Sequence, residues 1–242
     1  MTKFQHLIIL ITISLSGCSY QNELVYDSTD PLENVNRSLY MFNENLDKAL
    51  LEPAADTYDY VTPRPFRKGV NNFFNNAKYP VTIINDLLQG KGKQFIQDTS
   101  RFIINSTIGL VGIFDPAAAM GIQYHDEDFG QTLAVWGMPQ GPYMMLPFLG
   151  PYTFRELIGD AVDGSFSPLL NLDNSTGKIT LNLIDQIQKR SSLSALEDEL
   201  YNSFDPYLYI RDSYLQNRKY KISDGDEEDE LVDDEFLDFE DF

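Results

Sequence analysis

The sequence predicts a mainly α-helical single domain, and three observations support this class. Apolar residues recur every three or four positions over long stretches, which is the period of one helix face. Pro, Asp and Thr stand at positions where helices commonly begin. One middle stretch, 109–150, departs from this period and is rich in Gly, Pro and aromatic residues. We therefore expect helices on both sides of an irregular centre.

The N-terminal half of the domain is predicted to hold four helices. The first begins at 30–33, with Asp30 as N-cap and Glu33 completing a capping box, and it ends at Glu52-Pro53. Its apolar stripe consists of Leu32, Val35, Leu39, Phe42, Leu46 and Leu50. Further helices are predicted from Pro63 to Ala77, from Pro80 to Gly90 with the glycine as C′ residue, and over 94–107.

The irregular centre allows one short hairpin. We expect two short strands, Gln131–Trp136 and Tyr143–Leu146, to pair around a turn at 138–141. Helices resume at Thr153, whose spacing to Glu156 is that of a capping box. The last predicted helices cover 176–190, 193–203 and 206–217.

The N-terminus has the pattern of a bacterial lipoprotein. Residues 1–17 contain an apolar run that is too short to span a bilayer and that indicates a cleaved signal peptide. Cys18 follows Leu15-Ser16-Gly17, the arrangement of a lipoprotein processing site, although an incidental cysteine after an ordinary signal is the alternative. We expect a lipid on Cys18, a tether over 18–29 and an anchored protein, because each buried CH₂ contributes about 0.8 kcal/mol. Ser19, not an acidic residue, follows the cysteine, and in lipoproteins that resemble this one this favours the outer over the inner membrane.

Charge is concentrated at the C-terminus. The net charge is −19, and residues 224–242 hold twelve acids and no base. We therefore predict a domain over 30–221 and an acidic, disordered tail over 222–242. The tail either stays solvated or folds onto a basic partner. No basic stripe exists, which argues against nucleic-acid binding.

Catalytic groups are scarce. His125, within His125-Asp126-Glu127-Asp128, is the one histidine after the signal, and no Gly-x-Ser-x-Gly elbow occurs. A single histidine with carboxylates is a weak zinc site, and the spacing is not that of an EF-hand. We expect no catalytic residue, metal or cofactor, and predict that this run orders a loop.

Amphipathic segments are abundant instead. The glycine-rich stretch 109–121 and the aromatic stretch 136–152 resemble segments that settle at a membrane interface, although an ordinary core is the alternative. The candidate channel or interface residues are Gly109, Leu110, Gly112, Ile113, Phe114, Trp136, Tyr143 and Phe148.

Several short motifs, in order, resemble those of the VacJ/MlaA lipoproteins over about residues 30–215. They include Asp30-Pro31-Leu32-Glu33-x-x-Asn36-Arg37, Pro63-x-Pro65-x-Arg67-x-Gly69, Asn85-Asp86-Leu87-Leu88-Gln89-Gly90, Arg101-Phe102-x-x-Asn105-Ser106-Thr107-x-Gly109, Phe114-Asp115-Pro116-Ala117, His125-x-Glu127-x-Phe129-Gly130-Gln131-Thr132-Leu133 and Gly141-Pro142-Tyr143. Glu156 departs from the Asp that the family commonly has.

The resemblance implies a ring-like helical body in the inner leaflet of the outer membrane, with an amphipathic channel. It implies removal of mislocalised phospholipid from the outer leaflet, beside a trimeric porin, with delivery to a soluble periplasmic carrier. Two rival functions are kept open. One is a porin-associated scaffold, and the other is a lipoprotein phospholipase that depends on His125.

Overall fold

The computed structural model describes residues 30–194 and 197–225. The predicted mainly α-helical class is confirmed, and no described helix is long and apolar enough to cross a membrane. The helices are α1 (Glu33–Leu46), α2 (Glu52–Val61), α3 (Arg64–Gln89), α4 (Gly92–Thr107), α5 (Pro116–Ala119), α6 (Phe129–Val135), α7 (Phe154–Phe166), α8 (Ser175–Leu193), α9 (Glu197–Asn202) and α10 (Pro206–Ile222). The two strands are β1 (Tyr143–Leu146) and β2 (Gly150–Thr153).

The start of α1 differs from the prediction. The N-cap position is Leu32, which makes no side-chain cap, so Asp30 does not cap the helix. The buried Asp30 carboxylate instead accepts hydrogen bonds from Asn36 Nδ2, at 2.7 Å, and from the Tyr207 hydroxyl. The Asp30 carboxylate therefore binds Asn36 within α1 and Tyr207 on α10 in place of the predicted capping box.

Two prolines were wrongly predicted to interrupt the helical chain, which continues through both of them. A π-helical turn, Asp47–Leu51, joins α1 to α2, and Pro53 lies in the first turn of α2, where a missing N–H is tolerated. Pro80 lies inside α3, a single helix of 26 residues, which packs along α4. Gly90 ends α3 with φ of +77°, as predicted for a C′ glycine.

The hairpin has a different partner strand from the predicted one. β1 pairs antiparallel with β2, with Tyr143 opposite Thr153 and Leu146 opposite Gly150. The segment expected to be its partner, 131–136, falls mainly in α6, which Asp128 caps by accepting from the Gln131 N–H at 2.9 Å. An N-cap aspartate directly before this segment therefore outweighs its strand-like pattern.

The C-terminal helices are confirmed, with shifted ends. Thr153 caps α7 as predicted, its hydroxyl accepting from the Glu156 N–H at 3.4 Å. α10 continues five residues beyond the predicted end and includes Ile222, and residues 223–225 form a turn. The predicted signal peptide, the predicted tether and the part of the predicted tail from 226 onward lie outside the described residues.

The interior of the described region is unusually polar. Nineteen polar or charged residues are buried there against seven apolar ones, while many large apolar side chains are exposed. The small apolar core joins β1 to α10 through Tyr143, Met145 and Tyr207. Asn36 ties α1 to this core by donating to the Tyr143 carbonyl and accepting from the Met145 N–H. The domain thus holds polar networks inside and leaves apolar side chains on its surface.

Candidate functional site

An apolar turn after α4 forms an unusual surface on the described part of the chain. Leu110, Val111 and Phe114 are each about 60% exposed (60%, 63% and 59%). Leu110 and Val111 also have positive φ angles, of 53° and 60°. A left-handed conformation costs a non-glycine residue roughly 1–2 kcal/mol, and Val is especially poorly suited to it. The fold therefore accepts strain in order to present apolar side chains outward, which is characteristic of functional segments.

Two glycines allow this turn to pack. A Cβ on Gly109 would lie 2.4 Å from the carbonyl oxygens of Asn105 and Phe114. Gly112 has φ of +90°, and its Cβ would lie 2.3 Å from Cβ of Asn76 on α3. Neither position can accept a side chain without movement of the backbone, so both glycines serve the close approach of the turn to α3 and α4.

A polar cluster beneath the turn holds its two ends together. We call Arg101, Asn105 and Asp115 the Arg101 clamp. The buried Arg101 guanidinium donates to the Tyr79 hydroxyl at 2.5 Å, to the Ile122 carbonyl and to Asp115 Oδ2 at 2.6 Å. Asn105 Nδ2 donates to Asp115 Oδ1 at 2.9 Å. The Oδ1 atom of Asn105 accepts from the Ala117 N–H, in the first turn of α5. The clamp therefore fixes the segment 105–122 to α4.

An apolar cavity of about 750 Å³ adjoins the turn, between α3 and α8. This volume falls within the roughly 300–1,000 Å³ of small-molecule sites. Its apolar walls include Phe66, Val70, Phe73, Ile113, Leu181 and Ile184. The exposed turn and the cavity share Ile113 and Phe114, so one apolar surface continues from the outside of the protein into it.

A smaller apolar cavity of about 430 Å³ lies among α1, the hairpin, α9 and α10. Tyr40, Met145 and Ile210 contribute to its walls. Arg190 stands at its edge, where Asp47, at 2.8 Å, and Glu197 neutralise the guanidinium. The Arg190 guanidinium is therefore not available as an unpaired charge for an ionic ligand in this cavity.

The predicted aromatic candidates divide into surface and core residues. Trp136 is 56% exposed, and its indole N–H donates to the Leu88 carbonyl at 3.2 Å. Phe148, at the hairpin tip, is 70% exposed and packs edge-to-face on Phe42, with ring centroids 5.3 Å apart. Tyr143, by contrast, is fully buried between rings of α10, so its predicted place at an interface is corrected: it is a core residue.

His125 belongs to a buried acidic cluster with Asp86, Asp98 and Glu127. Its Nδ1 lies 2.8 Å from Asp98 Oδ2. Burial raises the pKa of Asp86 and of Asp98, and burial lowers the pKa of His125. Across residues 30–194 and 197–225, no group of three or more His, Cys, Asp or Glu is arranged to hold a metal. Asp86 lies in one of the motifs that carry the family resemblance, but Asp98 has no sequence signal, because acids on amphipathic helices are ordinarily solvated.

A polar interior, an exposed apolar turn and two apolar cavities together define a helical protein with lipid-compatible surfaces. The chain belongs to the MlaA lipoprotein family, whose sequence profile matches residues 28–221.

Two relatives and one solved structure are close to it. The "Intermembrane phospholipid transport system lipoprotein MlaA" of Escherichia coli (strain K12) is 34% identical over 225 residues, covering 90% of this chain and 88% of the relative. The protein of the same name from Haemophilus influenzae is 32% identical over 223 residues, covering 90% and 89%. A structure from work on the "Structural basis for maintenance of bacterial outer membrane lipid asymmetry" matches with a TM-score of 0.73 and 31% identity. That match covers 80% of this chain and 98% of the other.

Proposed function

We propose that this protein removes mislocalised phospholipid from the outer leaflet of the outer membrane, without making or breaking a bond. The observation that carries the proposal is the strained apolar turn that continues into the cavity between α3 and α8. The names of the relatives, which refer to intermembrane phospholipid transport, support it.

The turn is proposed to enter the acyl region of the bilayer. Full burial of a large apolar side chain contributes roughly 1.5–3 kcal/mol, so Leu110, Val111, Ile113 and Phe114 together would stabilise the inserted state by several kcal/mol. This gain exceeds the strain at the two left-handed residues. Trp136 and Phe148 are proposed to contact lipid at other parts of the surface, and Gly109 and Gly112 to shape the turn beside the path of the lipid.

The anchor and partners complete the proposal. Cys18, outside the described residues, would carry the lipid that holds the domain on the periplasmic side of the outer membrane. The partners would be phospholipid, a trimeric porin and a soluble periplasmic carrier that receives the lipid. No Walker-type phosphate loop is present in the sequence, so the energy source would lie elsewhere.

The test follows labelled phospholipid in membranes that hold the lipidated protein, with the carrier added. The expected result is intact label on the carrier. Lysophospholipid and free fatty acid would indicate a phospholipase instead, and no movement of label would favour a scaffold.

A matched pair of variants makes the test specific to the turn. Phe114→Asp places a charge on the apolar turn and should reduce transfer at least tenfold, because a charge in the acyl region costs roughly 2.5 kcal/mol or more. Phe204→Asp makes the same change at a fully exposed phenylalanine between α9 and α10, away from the turn, and should leave transfer unchanged. Equal transfer by both variants would remove the turn from the proposed path.

A further inference from the structure

A polar cavity of about 290 Å³ lies between the start of α3 and the end of α8. Its lining includes Arg64, Arg67, Lys68, Asn71, Gln188 and Ser192. Three cations thus line one small cavity in a chain whose net charge is −19. This concentration of positive charge is the first indication of an anionic ligand.

The cations are incompletely neutralised. Arg67 Nη1 pairs with Asp59, which leaves a guanidinium with further N–H donors. In the part of the chain that the structure describes, the side chains of Arg64 and Lys68 make no ion pair or hydrogen bond. The first turn of α3 contains no acid, so these cations also stand at the positive end of the helix dipole, where acids are favoured. Because this arrangement of cations does not stabilise the fold, we infer that they serve to bind a ligand.

The polar cavity adjoins the apolar one at Lys68. Lys68 lines both, and α3 and α8 form walls of both. In the first turns of α3, Arg64 and Arg67 face the polar cavity, while Pro65 and Phe66 face the apolar cavity. Cationic and apolar linings therefore meet at Lys68, and we call the two adjoining cavities the groove. A phospholipid has the same order of chemistry, a phosphate directly followed by acyl chains.

We propose that Arg64, Arg67 and Lys68 form the subsite for the phosphate of a phospholipid whose acyl chains occupy the adjoining apolar cavity. Arginine guanidinium groups bind phosphate oxygens in a bidentate manner, and Lys68 adds a point charge at the junction of the two cavities. The inference rests on the proposed function and adds to it a location and a recognised group.

The test measures the affinity of the lipidated, full-length protein in detergent for three probes. The first is dihexanoylphosphatidylglycerol, the second is dihexanoylglycerol, which has the same chains without phosphate, and the third is glycerol 3-phosphate. The variant is Arg64→Gln with Lys68→Gln. Its control, Lys48→Gln with Lys93→Gln, removes the same charge at exposed positions outside the groove. Arg67 is kept, because its loss would leave Asp59 without its cation.

The expected result is specific to the phosphate. The variant should bind dihexanoylphosphatidylglycerol roughly tenfold more weakly, since each charged contact at an exposed rim is worth about threefold to fivefold. Its affinity for dihexanoylglycerol should match that of the control, and it should be no less stable than the control in thermal unfolding, because Arg64 and Lys68 make no ion pair with the described residues. Glycerol 3-phosphate should bind far more weakly than the phospholipid, because it lacks the acyl chains.

Three other results would overturn the subsite. Unchanged or tighter phospholipid binding by the variant would assign the cations to another occupant, such as the acidic segment 226–242. Equal affinity for glycerol 3-phosphate and the phospholipid would indicate a site for free phosphate. An equal loss for both lipids would place the effect on the apolar cavity. The proposed function fails separately, if the unaltered protein binds neither lipid.

Discussion

The Arg101 clamp offers the sharpest structural prediction. Arg101→Met keeps an unbranched apolar stem but removes every hydrogen bond that the guanidinium makes. Tyr79, the Ile122 carbonyl and Asp115 would each lose a donor. Because Asp115 and Ile122 flank the far end of the apolar turn, the substitution should loosen the turn as well as destabilise the domain.

The magnitude follows from burial. The Arg101 side chain is 4% exposed and that of Asp115 is 22% exposed, so water can replace little of what is lost. Removing one partner of a buried ion pair costs about 3–5 kcal/mol. Asp115 retains the Asn105 amide and the Ala118 N–H, which favours the lower half of this range. Asp115→Asn on the same background should recover part of the loss, because no unpaired carboxylate then remains.

The assay is urea denaturation followed by circular dichroism, with hydrogen exchange of residues 108–122 as a local readout. Lys48→Met is the control. It breaks a pair with Glu44 whose lysine is 48% exposed, and it should cost about 0.3–0.5 kcal/mol. If Arg101→Met cost no more than this control, or left hydrogen exchange in the turn unchanged, the clamp would not hold the turn.

Three further predictions concern a glycine, a carboxyl and the anchor. Gly112→Ala should cost about 2–4 kcal/mol in thermal unfolding, from a clash with Asn76 added to a left-handed conformation. Gly90→Ala, where the added Cβ meets nothing, should cost about 1 kcal/mol, and equal losses would refute the clash. Burial raises the pKa of Asp163 to about 6, so its contribution to stability is complete below about pH 4 and is lost as the pH rises through 6. Asp163→Asn should make the fall in stability between pH 4 and 7 smaller by about 1–2 kcal/mol in urea titrations, while Asp86 and Asp98 still contribute to it, and an unchanged slope would contradict the assignment. Cys18→Ala should release the protein from the outer membrane on fractionation, and recovery of the variant with attached lipid would refute the anchor.

The sequence predicted the elements that local patterns determine. α4 follows from apolar periodicity, and Gly90 and Thr153 act as predicted because residues at helix ends make local hydrogen bonds. Pro80 could not be placed in the same way. Packing of α3 along α4 maintains the helix through a residue that would end an isolated one.

The site was predictable in outline and not in its contacts. The stretch around Leu110 and Phe114 was recognised from its composition, but the strain in its backbone and the clamp beneath it depend on tertiary structure. Tyr143 was misplaced because aromatic residues serve cores and interfaces equally. Arg64 and Lys68 carried no signal, since surface cations are common. What distinguishes them from solvated charges is that both line the polar cavity, a property of the tertiary structure.

A substitution at Leu110 can distinguish the contribution of the turn to stability from its contribution to lipid transfer. Replacing both Gly109 and Gly112 by Val cannot do so, because the added side chains would collide with backbone or with Asn76, and the turn would be lost in any case. Leu110→Asn acts in the opposite direction: Asn tolerates the left-handed conformation better than Leu, and an exposed apolar side chain is removed. We expect an unfolding free energy that is equal or up to about 1 kcal/mol higher, together with slower transfer of phospholipid to the carrier. Leu172→Asn, in the loop before α8, is the control and should leave transfer unchanged. If the turn serves only packing, Leu110→Asn should raise stability with no loss of transfer. If the turn contacts lipid, the same variant should gain stability and transfer phospholipid more slowly.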